Sequence, residues 1–329
     1  MDGPAAHAAD DDLVVTEGLT KSYGDDVVLD RVDLAVPRGR IVGLIGPSGC
    51  GKTTLVRQLT GLAAPTAGTA RVFGEDPLDF SIPTRSRIGY MPQLPVLFQT
   101  LSLWGNLTFM SSVYGVKLRG RRKQLMRLLD LVELREDRHK QLAQCSGGMQ
   151  RRLSLAATLV HDPELLFLDE PTAGVDPILR ARFWEHFRAL REQGATIVVP
   201  TQYVGEAAMC DLVAVMSAGR LLTMVPPTQL RAFADGGDVL VYELPDDLRR
   251  ADLQRLAEVD GVRRVHRTDD GVRVVVGDAG RDAAAVDAAL AGLGVTATRQ
   301  EYDPSYEDVF VTIIERDRAQ QAAAAEAAA

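Results

Sequence analysis

The sequence lacks the features that mark exported, membrane-spanning and nucleic-acid-binding chains. No apolar run approaches the roughly 18 to 20 residues that a membrane-spanning helix needs, and residues 1–13 have neither a basic start nor an apolar centre. The three cysteines are scattered, so neither a zinc site nor a disulfide framework is expected. Lys and Arg number 37 against 45 Asp and Glu, and the net charge of -8 argues against broad attraction to nucleic acid. We therefore expect a folded chain of a reducing cytosol that is neither exported nor inserted into a membrane.

The length of 329 residues exceeds the size at which one hydrophobic core usually stops growing, so one large and one smaller domain are expected. The composition, 46% hydrophobic and 25% charged, is that of an ordinary folded protein. Residues 1–11 and 316–329 have no periodic apolar face. They predict a disordered N-terminus and a disordered or helical Ala-rich tail.

Short apolar segments alternate with helical stretches between residues 12 and 235, which predicts an α/β domain built on a mostly parallel sheet. Segments 13–40 and 69–90 alternate more strictly and predict a half-exposed antiparallel β layer. Residues from about 94 to 160 are mainly helical in pattern and form a predicted insertion between two strands of the core. Four segments are apolar almost throughout, as strands buried on both faces must be: Ile41 to Ile45, Leu165 to Leu168, Thr196 to Val199 and Leu212 to Met216.

The composition changes after Pro226-Pro227 and Gly236-Gly237. Residues 238–315 then follow the order strand, helix, strand, strand, helix, strand, which is the order of a ferredoxin-like module. We therefore predict a small C-terminal α+β ferredoxin-like domain.

The strongest chemical signal is the segment Gly46-Pro47-Ser48-Gly49-Cys50-Gly51-Lys52-Thr53-Thr54, which follows a predicted buried strand and precedes a helical run. It fits the P-loop pattern G-x-x-x-x-G-K-[ST], whose glycines let backbone N–H groups curl around phosphate oxygens at a helix N-terminus. Lys52 would neutralise the β- and γ-phosphates, and the Thr53 hydroxyl would ligate Mg²⁺. A mere turn is a weak alternative in this context. We predict a P-loop NTPase core that binds a nucleoside triphosphate.

Two adjacent carboxylates, Asp169 and Glu170, follow the predicted strand Leu165 to Leu168. This placement brings them to the carboxyl edge of the sheet, where ligands of open α/β folds bind. Asp169 would orient Mg²⁺ or its waters, and Glu170 would polarise the water that attacks the γ-phosphate. Such a pair standing alone is more often a helix cap or a solvated pair, but the upstream P-loop favours the catalytic interpretation.

Ser146, Gly147 and Gly148 precede a helical run through Leu153 to Leu159. A hydroxyl and free N–H groups at the positive end of a helix form a phosphate-binding surface. This would be the second such surface in the chain. The alternative is that Ser146 is simply the N-cap of that helix.

With these three segments in this order, residues 13 to 233 resemble the ATP-binding subunits of ABC transporters. The Ser-Gly-Gly segment is similar to the ABC signature, which distinguishes this family from other P-loop proteins. The resemblance implies that Tyr23 stacks on adenine, the alternative being an edge-strand aromatic. It also implies that Gln93 contacts Mg²⁺ and the attacking water, and that residues 173–176 meet the opposing subunit.

Two segments depart from the family pattern. The signature has Cys145 and Met149 where Leu and Gln are commonest. Gln202 stands where the family usually has a histidine that contacts the γ-phosphate. The Gln202 amide can donate a hydrogen bond but cannot become cationic. We therefore expect hydrolysis in which Gln202 takes the catalytic place of the histidine with an altered contact to the γ-phosphate.

The resemblance implies an ATPase that uses ATP and Mg²⁺ and powers transport through a separate integral membrane permease. In this family each ATP lies between the P-loop of one subunit and the signature of another, so a second ATP-binding subunit is expected, most simply in a homodimer. The expected location is the cytoplasmic face of the cell membrane, without a nucleic-acid partner. One ATPase unit, the ferredoxin-like extension and the run Glu301 to Phe310 are similar to the bacterial branch that exports drugs and lipids.

Two alternatives stay open for the function. Gln202 motivates a nucleotide-gated regulatory subunit with little hydrolysis. The other alternative is a soluble ABC ATPase of translation or DNA repair, although the tandem ATPase units or long coiled-coil insertion of such proteins are not in the sequence. Within the insertion, Leu94 to Tyr114 is unusually apolar and includes Trp104. It predicts either core packing or a surface that docks on the permease.

Overall fold

The computed structural model describes residues 12–235, 237–244, 250–268, 271–295, 297–300 and 305–328. The predicted disordered N-terminus at 1–11 and the first part of the run Glu301 to Phe310 lie outside the described residues. The chain divides into two compact units, Met1–Met224 and Val225–Ala329. The sequence placed this boundary near residue 235, whereas the short helix Leu230–Asp235 belongs to the second unit.

Strands of the first unit form two sheets. In chain order the strands are β1 (Asp12–Tyr23), β2 (Asp26–Pro37), β3 (Ile41–Ile45), β4 (Ala67–Val72), β5 (Ile88–Met91), β6 (Leu165–Leu168), β7 (Thr196–Thr201), β8 (Leu212–Ser217) and β9 (Arg220–Val225). The central sheet has the order β5-β6-β7-β3-β8-β9, and its pairs from β5 to β8 are parallel. The four apolar runs are its strands β3, β6, β7 and β8, and every residue of β3, β6 and β7 is buried. The predicted mostly parallel sheet is therefore confirmed.

The prediction of an antiparallel layer over residues 69–90 is wrong at its end. β5 pairs in parallel with β6, with Ile88 opposite Leu165 and Met91 opposite Leu168. Three of the four β5 residues are buried, as in the other central strands. Its Gly-Tyr centre is too mixed for the segment to resemble the apolar runs.

The other sheet of the first unit is antiparallel, with β1 between β2 and β4. Val14, Val32 and Val36 are fully buried in one hydrophobic cluster with Leu44 and Phe167 of the central sheet. Burying an apolar side chain of this kind stabilises a fold by about 1.5 to 3 kcal/mol. The apolar face of this sheet therefore holds it against the central sheet, and the predicted antiparallel layer is confirmed for β1, β2 and β4.

Helices of the first unit are α1 (Lys52–Leu59), α2 (Ile82–Arg85), α3 (Leu103–Val113), α4 (Leu118–Leu131), α5 (Gly147–Thr158) and α6 (Pro177–Glu192). α3, α4 and α5 lie between β5 and β6 in the chain, which confirms the helical insertion. Ser102, Ser146 and Asp176 are the N-caps of α3, α5 and α6, where their side-chain oxygens accept hydrogen bonds from first-turn N–H groups. α4 is interrupted near its start by Arg119 and Gly120, whose backbones are not helical.

The second unit contains one antiparallel sheet of the order β11-β12-β10-β13. Its elements are α7 (Leu230–Asp235), β10 (Asp238–Glu243), α8 (Arg250–Ala257), β11 (Val262–Thr268), β12 (Gly271–Val276), α9 (Ala279–Gly292), β13 (Thr298–Gln300) and α10 (Tyr306–Ala328). Leu256 of α8 and Leu290 of α9 share a buried cluster with Val272 and Val274 of β12. The long helix α10 includes residues 316–328 of the Ala-rich tail.

Within the described ranges, no helix combines the length and the apolar character that crossing a bilayer requires.

Candidate functional site

The P-loop predicted at residues 46–54 connects β3 to α1. The N-cap of α1 is Gly51, and no side chain caps the first turn. Because the first N–H groups of a helix have no partner within it, this end offers donors to an anion. Gly51 has a φ of 104°. A Cβ there would lie 2.6 Å from Leu29 Cδ2 and 2.8 Å from Val28 O, so only glycine fits this position.

Lys52 points back into the loop and is only 8% exposed. Its Nζ donates hydrogen bonds to Gly46 O at 2.7 Å and to Pro47 O at 3.0 Å. Neutral carbonyl oxygens thus hold the ammonium inside the loop. Because a charged phosphate is a stronger acceptor for an ammonium than a carbonyl, the loop presents a cation that a phosphate could engage.

The other predicted loop residues shape the turn between β3 and α1. Cys50 N donates to Pro47 O at 3.3 Å. Cys50 itself is buried, and burial raises the pKa of its thiol, so it packs as an uncharged group. Gly49 has a φ of +80°, and a Cβ there would meet nothing within 4 Å. Thr54 lies in the first turn of α1 and is half-buried.

Thr53 and Asp169 join the P-loop to the end of β6. Thr53 Oγ1 donates a hydrogen bond of 2.9 Å to Asp169 Oδ2, and Asp169 is 1% exposed. Burial raises the pKa of Asp169, and the charge of Glu170 acts in the same direction, while the hydrogen bond from Thr53 opposes both. A hydroxyl and a buried carboxylate in contact are hard oxygen donors of the kind that Mg²⁺ takes. These two residues therefore fit a divalent cation.

Glu170 follows directly and lies at the carboxyl edge of the central sheet. Its backbone has a positive φ of 50°, which is uncommon for a residue other than glycine. Its N–H donates to Pro200 O of β7 at 2.8 Å. This hydrogen bond holds the turn in its strained conformation, and the Glu170 side chain is half-exposed. A carboxylate that is fixed at its backbone and reached by water can act on a water molecule.

Arg151 of α5 is a site residue that the sequence analysis did not assign. Its Nε donates to Glu170 O at 2.9 Å, its Nη2 to Asp169 O at 3.1 Å and also to Glu170 O, and its Nη1 to Gln93 O at 3.4 Å. One guanidinium thus holds the backbone of three predicted site residues. The sequence feature that could have identified Arg151 is the pair of arginines near the start of a helix, where the helix dipole disfavours cations.

Gln202 lies just beyond β7 and contacts the P-loop. Ser48 Oγ donates a hydrogen bond of 3.2 Å to Gln202 Oε1. Both side chains are exposed at this point. The structure therefore brings Gln202 to the loop that would surround the phosphates.

Ser146 is the N-cap of α5, and its Oγ accepts a hydrogen bond of 3.3 Å from Met149 N. This bears out the capping interpretation of Ser146. Ser146, Gly147 and Gly148 are all exposed. The hydrogen bonds that Ser146 makes to the described residues stay within the first turns of α5, so the Ser-Gly-Gly segment also presents an open surface.

Tyr23 and Gln93 occupy exposed positions. Tyr23 is the last residue of β1 and is 52% exposed, with Lys21 Nζ 4.8 Å from the centre of its ring. Although β1 is the middle strand of its sheet, its pairing with β4 ends at Thr20, so Tyr23 is paired with β2 alone, as a residue of an edge strand would be. Gln93 is exposed and is placed through its carbonyl group, which accepts from Arg151.

Glu206 is a second residue that the sequence analysis missed. It is 4% exposed, and its Oε1 accepts hydrogen bonds from Thr172 Oγ1 at 2.5 Å and from Trp184 Nε1 at 3.4 Å. Its Oε2 has no partner among the described residues. Glu206 therefore ties the segment after Gln202 to the segment after Glu170. A glutamate in the run Val-Gly-Glu-Ala-Ala gives no sign of burial in the sequence.

Several known proteins resemble this chain. The family described as ABC transporter matches residues 29–173. The daunorubicin/doxorubicin resistance ATP-binding protein DrrA of Streptomyces peucetius is 38% identical over 258 residues, which cover 78% of this chain and 78% of DrrA. The Nod factor export ATP-binding protein I of Cupriavidus metallidurans is 35% identical over 308 residues, covering 93% of this chain and 98% of that protein. The probable multidrug ABC transporter ATP-binding protein YbhF of Escherichia coli is 38% identical over 220 residues; these are 67% of this chain but only 38% of YbhF.

Solved structures share the fold of about two thirds of this chain. A structure of the ATP binding subunit of an ABC transporter aligns with a TM-score of 0.63 at 27% identity and covers 67% of this chain and 92% of its own. The dimeric post-hydrolysis state of the ATP-binding cassette MJ0796, bound to ADP and Pi, aligns with a TM-score of 0.61 at 25% identity. The alignment covers 65% of this chain and 98% of MJ0796.

Proposed function

The chain belongs to the family of ABC transporter ATP-binding proteins, and on this basis we propose that it binds and hydrolyses ATP to power export through a separate membrane permease. The observation that carries the proposal is the hydrogen bond of 2.9 Å between Thr53 Oγ1 and Asp169 Oδ2. It brings the P-loop and the carboxylate pair together at one sheet edge. A P-loop beside a strand-end carboxylate places phosphates and metal for phosphoryl transfer.

Nucleotide binding would use the loop as the structure has it. The Lys52 ammonium would exchange its carbonyl partners for β- and γ-phosphate oxygens, and the first N–H groups of α1 would donate to the same phosphates. Tyr23 would stack on the adenine with its exposed ring. These contacts orient the γ-phosphate toward Glu170.

Thr53, Asp169 and Gln93 are the residues that would hold Mg²⁺. Proteins bind this ion through one or two carboxylates together with phosphate oxygens and water. No cluster of three or more His, Cys, Asp or Glu occurs in the described part of the chain, so the site relies on oxygens of the nucleotide. When bound, Mg²⁺ supplies neutralisation of phosphate charge.

Hydrolysis would depend on Glu170 and Gln202. The Glu170 carboxylate would accept a proton from the attacking water, and its position is set through the backbone by Arg151 and Pro200. Gln202, held at Ser48, would donate a neutral hydrogen bond to the γ-phosphate. Because a neutral amide stabilises developing charge less than an imidazolium does, we expect slower turnover than a histidine would give at this position.

The second phosphate-binding surface would act on another subunit. Ser146, Gly147 and Gly148 are exposed at the start of α5. A head-to-tail pair of two copies of this chain would place this surface over the nucleotide of the partner. The relative MJ0796 is described as dimeric, which supports a homodimer as the working assembly.

The names of the relatives support the direction and class of the cargo. DrrA is named for resistance to daunorubicin and doxorubicin, YbhF for multidrug transport and the Cupriavidus protein for Nod factor export. We therefore propose export of drug-like or lipid-like compounds. The β-α-β-β-α-β order of β10 to β13, with the sheet order β11-β12-β10-β13, supports a ferredoxin-like accessory domain in the second unit.

The permease would dock on the beginning of the helical insertion. Leu94 and Val96 are 79% and 77% exposed, Phe98 is 49% exposed, and Trp104 nearby is half-buried. Exposed apolar side chains of this size in one stretch mark an interaction surface. The subunit would then work as a peripheral protein on the cytoplasmic face of the cell membrane.

The test is ATP turnover by the chain assembled with its permease, for native protein, Glu170→Gln and Gln202→His. We expect measurable turnover in the native complex, none in Glu170→Gln although it still binds ATP, and faster turnover in Gln202→His. A native complex that hydrolyses nothing would contradict the proposal.

Gln202 also motivates a second candidate, a nucleotide-gated regulatory subunit. It predicts that the native complex binds ATP without turnover and that Gln202→His changes nothing. The same three proteins therefore distinguish the two functions.

A further inference from the structure

A strongly basic surface lies where the helical insertion turns from α3 into α4. We define it by Lys117, Leu118, Arg119, Arg122 and Lys123, and call it the basic surface. All five side chains are exposed, and Leu118 is 77% exposed. Val113 at the end of α3 is 63% exposed as well.

The charge of the basic surface is not balanced locally. No Asp or Glu occurs between residues 115 and 129, although the chain as a whole has a net charge of -8. None of its four cations forms an ion pair with the described residues. Together with Arg121, residues 117–123 contain five cations. They would repel one another in a surface that faced only water, so the surface suits an anionic partner.

Two features of the fold hold these side chains outward. Leu125, Leu128 and Leu129 are buried and fix one face of α4 against the core, which leaves Lys123 on the opposite face, while Arg122 is exposed near the start of the helix. The backbone break at Arg119 and Gly120 then turns the preceding residues away from the helix axis.

The end of α3 lies beside the start of α4. Arg121 Nη1 donates to Ser112 Oγ at 2.9 Å, which ties the two helices together at this point. The exposed side chains of Val113 and Leu118 therefore belong to the same end of the insertion as the cations. Aliphatic side chains among long basic ones are the composition of a protein surface that rests on lipid headgroups.

We propose that the basic surface binds anionic phospholipid headgroups at the inner face of the membrane. The four cations would pair with lipid phosphates, and Leu118 would enter the acyl boundary between them. An acidic protein segment would satisfy the charge but would leave Leu118 and Val113 in water, so the lipid surface accounts for more of the side chains. The inference rests on the proposed function, since only a subunit that works beside a permease lies next to the membrane.

The experiment is flotation of the purified full chain with vesicles of phosphatidylcholine alone and with vesicles of equal parts phosphatidylcholine and phosphatidylglycerol. The test variant is the triple substitution Arg119→Gln, Arg122→Gln and Lys123→Gln. The matched control removes the same charge from exposed positions elsewhere in the first unit: Arg31→Gln, Arg71→Gln and Arg85→Gln. ATP affinity is measured on all three proteins to show that each is folded.

We expect the native chain to bind the anionic vesicles and to dissociate from them at high salt. It should not bind the neutral vesicles. The test variant should bind on the order of 100-fold more weakly, at about fivefold for each basic residue, and the control should bind like the native chain. If the control variant lost as much binding to anionic vesicles as the test variant, net charge alone would explain the binding, and the proposal would be overturned. A native chain that binds neither vesicle, or a test variant that keeps its vesicles but no longer co-purifies with the permease, would also overturn it. Failure of the proposed function would show separately, as a chain that floats with anionic vesicles but does not hydrolyse ATP with its permease.

Discussion

Replacing Arg151 by Gln should slow ATP hydrolysis far more than it weakens ATP binding. The guanidinium fixes the carbonyl groups of Asp169, Glu170 and Gln93, which contribute the metal ligand, the base and the water contact in the proposed mechanism. A Gln side chain is shorter and uncharged, so it cannot reach three acceptors at once. The carboxylates would remain, but the backbone that aims them would no longer be held.

The magnitude follows from the hydrogen bonds that are lost. Hydrogen bonds that involve a charged group contribute about 1.5 to 3 kcal/mol each in net terms. Arg151 is half-buried, so the lower value applies, and its contact of 3.4 Å with Gln93 O adds little. Two effective bonds amount to about 3 kcal/mol, which corresponds to roughly 100-fold in kcat if the whole loss is felt in the transition state. Lys52 and the loop are untouched, so the Kd for ATP should barely change.

The assay is steady-state turnover of the reconstituted complex together with ATP binding to the isolated subunit. The matched control is Arg152→Gln, because Arg152 is the next residue on α5 but donates to Val132 O at 3.0 Å, away from the carboxylates. We expect near-native kcat in the control, and partial recovery in Arg151→Lys. Turnover of Arg151→Gln within twofold of native, or equal losses in both variants, would refute the positioning role.

Three further substitutions test the loop, the core and the docking surface. Gly51→Ala should lower the unfolding temperature and ATP affinity, because a positive φ costs a residue with a Cβ about 1 to 2 kcal/mol and the methyl group meets fixed atoms. Gly49→Ala, with open space around it, should lower the unfolding temperature less. A larger loss in Gly49→Ala than in Gly51→Ala would contradict the loop geometry. Burial lowers the pKa of His161, whose Nδ1 has no partner among the described residues. The contribution of neutral His161 to the free energy of unfolding is therefore complete above its unfolded pKa near 6.5, and it is lost as pH falls through its folded pKa. The unfolding temperature of the native protein should therefore drop more between about pH 7 and pH 5 than that of His161→Gln, and parallel curves would exclude this residue as the cause. Trp104→Ala should reduce co-purification with the permease while ATP binding stays intact, and an undiminished yield would count against the docking surface.

Much of the fold was predictable because buried strands have a composition that few other segments share. Ile41–Ile45 and Leu165–Leu168 are apolar at every position or nearly so, and both are fully buried in the central sheet. Ile88–Met91 belongs to the same sheet and is as long as Leu165–Leu168, but Gly and Tyr at its centre leave no continuous apolar pattern to separate it from the antiparallel layer. Composition, more than length, set the limit.

The candidate site was predictable where one short segment contains the whole chemical pattern. The P-loop is such a segment, and Asp169 lies where its strand ends, in contact with Thr53. Arg151 and Glu206 act through contacts with residues distant in the chain, at separations of 19 and 34 positions. Contacts of that kind depend on how helices pack onto the sheet, which local patterns do not contain.

The central claim is that this chain holds ATP with Lys52 inside the P-loop, and ATP titration of the isolated subunit tests it most directly. The variant Lys52→Ala removes the ammonium that Gly46 O and Pro47 O now hold, while Lys21→Ala removes an exposed ammonium beside Tyr23 as the control. We predict that Lys52→Ala loses most of its ATP affinity and that Lys21→Ala changes it far less. A Lys52→Ala variant that binds ATP as tightly as the native chain would contradict the account.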